Sequence, residues 1–333
     1  MAIVFGHPKE AVAVFFVLSG FLIRYSTAAE DKNWADYSTA RLSRLYPVVL
    51  VALVTTFSLD KIGEWFHPKY YASLLFYAPE TVESAIRYLT FTNEIWSRHD
   101  RFGTAEPFWS LGFEAWYLFY GLCLYLPSRW RFAAVAVSLF IVGPQIVLYL
   151  PLWLMGAVAY SRYAGSRWEF RRGPSGLAIF CLANTGYLCA FAFAGPNVAA
   201  MYVPHMWQQE ILSAAYYYLV GGVAYFNIVA FARMAGNRPV LLTSVARWIR
   251  WGAGASFTLY LMHQPVMVLI GSFVPATNTS LVAAVFVCLT TLAACLLLAE
   301  IGERRRNRYR DAFRAFFSAA GKSPIPQTRT PDH

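Results

Sequence analysis

The chain has 333 residues, 58% of them hydrophobic and only 14% charged, and it carries a formal net charge of +10. Soluble domains carry about 25% charged residues, so this balance excludes an ordinary soluble enzyme and points to a chain that crosses a bilayer several times. Five cysteines with no C-x-x-C pair give neither a disulfide framework nor a zinc site. No Walker loop, G-x-S-x-G or fixed-period repeat occurs either.

Crossing ~30 Å of hydrocarbon takes about 20 apolar residues as helix. In chain order, such windows lie at 11–29, interrupted only by Arg24, at 45–59, and at 107–128, interrupted only by Glu114. Between Arg131 and Arg162 come 30 uncharged residues broken by Pro144 and Pro151, read as two short spans or a re-entrant pair. Further windows follow at 175–194, 211–232, 255–274 and 280–299. The expectation is an all-α polytopic transmembrane bundle of about nine crossings. The segment Asp60–Pro107 is its one long connection, and the run "YYASLLFYA" within it is too short to span. After Glu303, "ERRRNRYRDAFRAFF" reads as a basic helix on an anionic lipid surface, and "SPIPQTRTPDH" as a segment without structure. Two regions result: a transmembrane domain, 1–302, and a basic cytoplasmic tail, 303–333.

Short cytoplasmic loops collect Lys and Arg. With the C-terminus inside, 22 of the 28 basic residues fall on the inner side and 6 on the outer. The net charge is thus mostly topology, and no nucleic acid is implied. Nine crossings put the N-terminus outside, with no cleavable signal before it.

Ionisable and polar groups inside the apolar windows carry the functional information, because each is costly in hydrocarbon. Glu114 lies ~10 Å into its span and His263 ~13 Å into a span entered from the other side, at 1.5 Å per residue. Each reads either as a polar strut between helices or as a proton-transfer group. Ser19 and Gly20 interrupt "FFVLSGFLI", where small residues allow close helix packing. Tyr260 and His263 share a face at i, i+3, and Pro265 frees the carbonyl of Leu261 and kinks the helix. Arg41 and Arg44, also three apart, share a face at the inner surface. There they serve either as anchors or as forks for a phosphate.

Four strings in order, "FFVLSGFLI" at 15–23, "RLSRLYP" at 41–47, "FWSLGFEAWYLFY" at 108–120 and "SFTLYLMHQPV" at 256–266, resemble the acyltransferase-3 family of membrane O-acyltransferases. The resemblance covers about Phe5 to Glu300. It implies a bundle of about ten helices in the cell membrane. It further implies a cytoplasmic acyl-CoA donor, often acetyl-CoA, and as acceptor a hydroxyl on a surface or exported glycan or lipid-linked glycan. No bound cofactor and no metal are expected; acyl-CoA is the donor substrate.

On that resemblance Arg41 and Arg44 match the R-x-x-R pattern and become donor-binding candidates. Glu114 and His263 become catalytic candidates. Ser19, Gly20, Trp109, Ser110, Tyr260 and Pro265 are motif positions that shape the site. Family members open with a first helix carrying an Arg and, about eleven residues later, a His taken as the base. This sequence begins at the stretch before the second helix, so the expectation is a chain lacking the first. His7 matches the family's loop "GH", not that base, and stands as a third catalytic candidate. Two other readings remain: a transporter or flippase, which would also show broken helices with midplane polar groups, and a catalytically incomplete family member.

Overall fold

A computed structural model describes residues 8–29, 33–165, 175–200, 206–237, 245–274 and 280–320. The described residues are almost wholly helical, and the one β-feature among them is a bridge between Ala78 and Gly103. The helices are α1 (Pro8–Ala29), α2 (Trp34–Phe66), α3 (Pro68–Ala72), α4 (Val82–Leu89), α5 (Trp109–Cys123), α6 (Ser128–Val142) and α7 (Pro144–Gly165). They continue as α8 (Gly176–Ala200), α9 (Met206–Asn237), α10 (Ala246–Ala253), α11 (Ser256–Phe273), α12 (Leu281–Ile301) and α13 (Arg306–Ala320). In hydrocarbon a helix is the one open-ended element that satisfies its own backbone, which is why apolar windows of this length become helices.

Each expected window is made largely of described helix, though 107–128 outruns α5, which ends at Cys123. Five helices among the described residues are long and apolar enough to cross, or six if the bent pair α10–α11 counts as one span. The expectation of about nine differs because α5 and α6 are only 15 residues each and because the window at 175–194 yields only the shorter apolar stretch Gly176–Cys189 among the described residues. At 1.5 Å per residue each covers ~22 Å, short of the hydrocarbon core. Between α6 and α7 the chain turns at Gly143, whose φ of +81° belongs to the left-handed half of the map that glycine enters without penalty. Pro144 then starts α7, and Pro151 lies inside it without ending it.

The chain forms two compact units. The first comprises residues 1–30, 90–100 and 108–251, and its centre is the contact of α1 with α7 and α9. Lipid tails are as apolar as leucine, so close backbone approach is what holds such helices together. Gly20 of α1 lies on the carbonyl of Trp153, and Gly156 of α7 lies reciprocally on the carbonyl of Val17. A Cβ at either position would collide with that backbone. Phe16 fills the adjoining space against Phe113 and Tyr117 of α5, with ring centroids 6.0 and 5.4 Å away.

The second unit comprises residues 31–89, 101–107 and 252–333. Its axis is α2, 33 residues long, started by Asn33, whose side chain accepts from the amides of Ala35 and Asp36. That is the preferred way to satisfy orphan amides at a helix start. α11, α12 and α13 all pack on α2. Residues 303–320 of the expected tail include α13, and "SPIPQTRTPDH" lies outside the described residues.

Candidate functional site

In the first unit the Ser-Gly interruption and the Trp-Ser-x-x-x-Glu stretch meet. Ser19 Oγ donates to Glu114 Oε1 at 3.0 Å, and Gly20 beside it sets how near α1 lies to α7. Glu114 is half-buried. Trp109 stands edge-on to Phe113 at 5.5 Å, and Ser110 is fully buried. The separate strings at 15–23 and 108–120 therefore build one polar contact across two helices. Periodicity alone does not pair a serine with a glutamate 95 positions away.

The second unit holds Arg41 and Arg44 on α2 and Tyr260, His263 and Pro265 on α11. Arg41 and Arg44 sit in the second and third turns of α2. The guanidinium of Arg41 lies 4.7 Å over the Tyr37 ring, an attractive geometry for a cation, and Arg44 is exposed. His263 is half-buried on α11, its Nδ1 2.8 Å from the carbonyl oxygen of Tyr260 and 3.2 Å from that of Leu259. Carbonyl oxygens only accept, so Nδ1 holds a proton. In the neutral ring Nε2 is then the atom with the free lone pair. The rings of Tyr260 and His263 lie 6.3 Å apart.

Pro265, the position expected to kink, lies inside α11. α11 runs unbroken through Pro265, and a 51° bend separates it from α10, at the break around Gly254–Ala255. A proline removes one amide and leaves the rest of the ladder intact, whereas the Gly-Ala break interrupts it entirely. His7 lies outside the described residues.

Two features escaped the sequence reading. Glu303, buried, closes the start of α11: its Oε2 accepts from the amides of Phe257 (3.1 Å) and Thr258 (2.9 Å) and from Thr258 Oγ1 (3.1 Å). The anion sits where the helix exposes unsatisfied amides and its positive dipole end. Gln264 Nε2 donates to Glu106 Oε2 at 3.0 Å, tying the middle of α11 to the segment 101–107. Capping signals that a sequence displays lie beside the helix they start, whereas Glu303 is 46 residues away from the amide it caps.

The second missed feature is the loop 90–100 of the first unit. Phe91, Trp96 and His99 have φ of +55°, +54° and +51°, three non-glycine residues in a region that costs about 1–3 kcal/mol each. Around them Asn93 and Glu94 are buried. Glu94 takes bonds from Asn93 Nδ2 at 3.2 Å and pairs with His99 Nδ1 at 2.7 Å. Burial pushes the Glu94 carboxyl above its usual value, while His99 and Asn93 pull it back down. Trp116 Nε1 on α5 fastens the loop at the carbonyl of Phe91, 3.1 Å away.

The described residues hold no group of three His, Cys, Asp or Glu arranged for a metal ion. Polar residues at motif positions within apolar helices of crossing length are those of a polytopic membrane protein. A family model described as an acyltransferase domain (acyltransferase-3) matches residues 9–300. The chain belongs to that family and is an acyltransferase, moving groups other than aminoacyl groups. No curated protein and no solved structure matches it.

Proposed function

We propose that the protein is an O-acyltransferase of the cell membrane that moves an acyl group, typically acetyl, from cytoplasmic acyl-CoA to a hydroxyl of a surface or exported carbohydrate. Family membership supports the acyl transfer. The observation that carries the site assignment is the orientation of His263, whose Nδ1 is committed to carbonyls of its own helix. That arrangement makes Nε2 a base for the acceptor hydroxyl. As the hydroxyl oxygen attacks the thioester carbon, its proton passes to Nε2; the C–S bond then breaks, and the leaving CoA thiolate takes up that proton, which restores the neutral imidazole.

Arg41 and Arg44 are the donor-phosphate ligands in this reading. Arg44 is exposed and Arg41 is held by Tyr37, so one fork is preset and the other is open to an incoming anion. In the first unit Glu114, which accepts from Ser19, is an acid–base candidate of its own. Purified protein in lipid discs, given acyl-labelled acetyl-CoA, tests the reading. CoA release that requires His263 and increases with a hydroxyl acceptor supports it; a His263→Ala protein with normal turnover refutes the role of the imidazole.

A further inference from the structure

The phosphate-binding surface extends beyond Arg41 and Arg44. α13 lies along α2 and docks through a row of rings at i, i+4 and i+8, which share one helix face. Phe317 meets Trp34 with centroids 5.7 Å apart, and Phe313 meets Tyr46 at 6.4 Å. Tyr309, next in the row, donates to the carbonyl of Ile301 at 3.2 Å. The stretch of α2 from Trp34 to Tyr46 is the stretch that carries Arg41 and Arg44. Packed helix axes lie about 8–10 Å apart, a gap that arginine side chains from the two helices bridge.

The same docking determines where the charges of α13 lie. Arg306, Arg310 and Arg314 form their own i, i+4, i+8 row at the flank of the ring row, and all three are exposed, as are Arg305 and Arg308. The carboxylates nearby are largely committed. Glu303 caps α11, and Glu300 is paired with Arg304. Asp311 is 4.0 Å from Arg314 with both side chains more than half exposed, a pair of little strength; Asp36 lies in the first turn of α2. The excess is five exposed guanidiniums beside the two of the R-x-x-R pair. Anchoring on lipid explains basic residues near a membrane, but it does not require their helix to be docked by Phe313 and Phe317 against the stretch of α2 that carries Arg41 and Arg44.

We infer that Arg306, Arg310 and Arg314 of α13 form, with Arg41 and Arg44 of α2, a composite site for the phosphates of the acyl-CoA donor. This rests on the donor reading above. Guanidinium forks suit phosphomonoesters, so the α13 row is assigned to the ribose 3′-phosphate, the one monoester of CoA.

The test uses the full chain in zwitterionic lipid discs, with CoA and 3′-dephospho-CoA titrated by calorimetry. Replacing Arg306, Arg310 and Arg314 together by Gln should weaken CoA binding more than tenfold and dephospho-CoA binding far less; the triple Lys variant should retain most of the affinity. The docking rings are untouched, and an unchanged unfolding midpoint checks the fold. Wild-type CoA affinity in the triple Gln variant overturns the inference. So does a variant that keeps CoA but loses only its association with vesicles of anionic lipid, which would make a headgroup the ligand. If Arg44→Ala weakens CoA binding and the triple variant does not, the inference fails while the donor reading stands. If wild-type protein binds no CoA, both fail.

Discussion

At the scale of single residues, chemistry rests on what each polar group is already bonded to. His263→Asn retains an amide donor for the Tyr260 carbonyl but offers no base, whereas His263→Ala removes both. Both variants are expected to lose transfer, by roughly 10²–10⁴-fold for a general base, and the Asn variant should unfold nearer the wild-type temperature. Turnover with labelled acetyl-CoA and a thermal melt on the same preparation check this. For the Ser19–Glu114 bond the expectation is non-additivity. Ser19→Ala and Glu114→Gln each destabilise, and the double variant should fall short of the sum by about 0.5–3 kcal/mol, the range for residues in direct contact. Additive losses would mean that the 3.0 Å contact contributes nothing of its own.

At the scale of elements, the long-range cap on α11 and the tight α1–α7 crossing are the points of leverage. Glu303→Ala leaves the amides of Phe257 and Thr258 buried without their acceptor. That should cost about 1–3 kcal/mol and lower the unfolding midpoint, with Glu303→Gln intermediate because its carbonyl still accepts. Gly20→Ala forces α1 from the Trp153 carbonyl, and overpacking of this kind costs about 1–3 kcal/mol. The loop 90–100 carries a pH signature. Burial raises the Glu94 carboxyl, so the folded chain holds that proton more tightly than the unfolded chain does. Its contribution is fully present below the unfolded value of about 4.3 and is lost as pH rises through the higher folded value. Melts from about pH 4 to about pH 7 should therefore show wild type losing stability relative to Glu94→Gln as pH rises. A constant difference across that window would refute the burial argument.

At the scale of the whole molecule the open quantity is topology. From the 22-to-6 division of basic residues the expectation is a cytoplasmic C-terminus and an outer loop at His99. With the five native cysteines replaced, His99→Cys should label with an impermeant thiol reagent on intact cells, and a tag after His333 should stay shielded until the cells are lysed. The reverse pattern would move the arginines of α2 and α13 away from any cytoplasmic donor.

Helical class, membrane character and family were legible along the chain, because each is a local property: apolar windows of bilayer length, sparse charge, and four motif strings in order. So were the face shared by Tyr260 and His263 and the presence of a basic helix after Glu303. What required the folded chain was every pairing between distant positions. Ser19 finds Glu114, Glu303 finds the start of α11, and the rings of α13 find Trp34 and Tyr46. The bend before α11 went unread in the sequence for a related reason. A proline is conspicuous in sequence, but a helix breaks where several hydrogen bonds are lost together, and at Gly254–Ala255 that loss is sustained by packing and capping from elsewhere in the chain. Periodicity reports which face of a helix is apolar; it does not report which helix lies against that face.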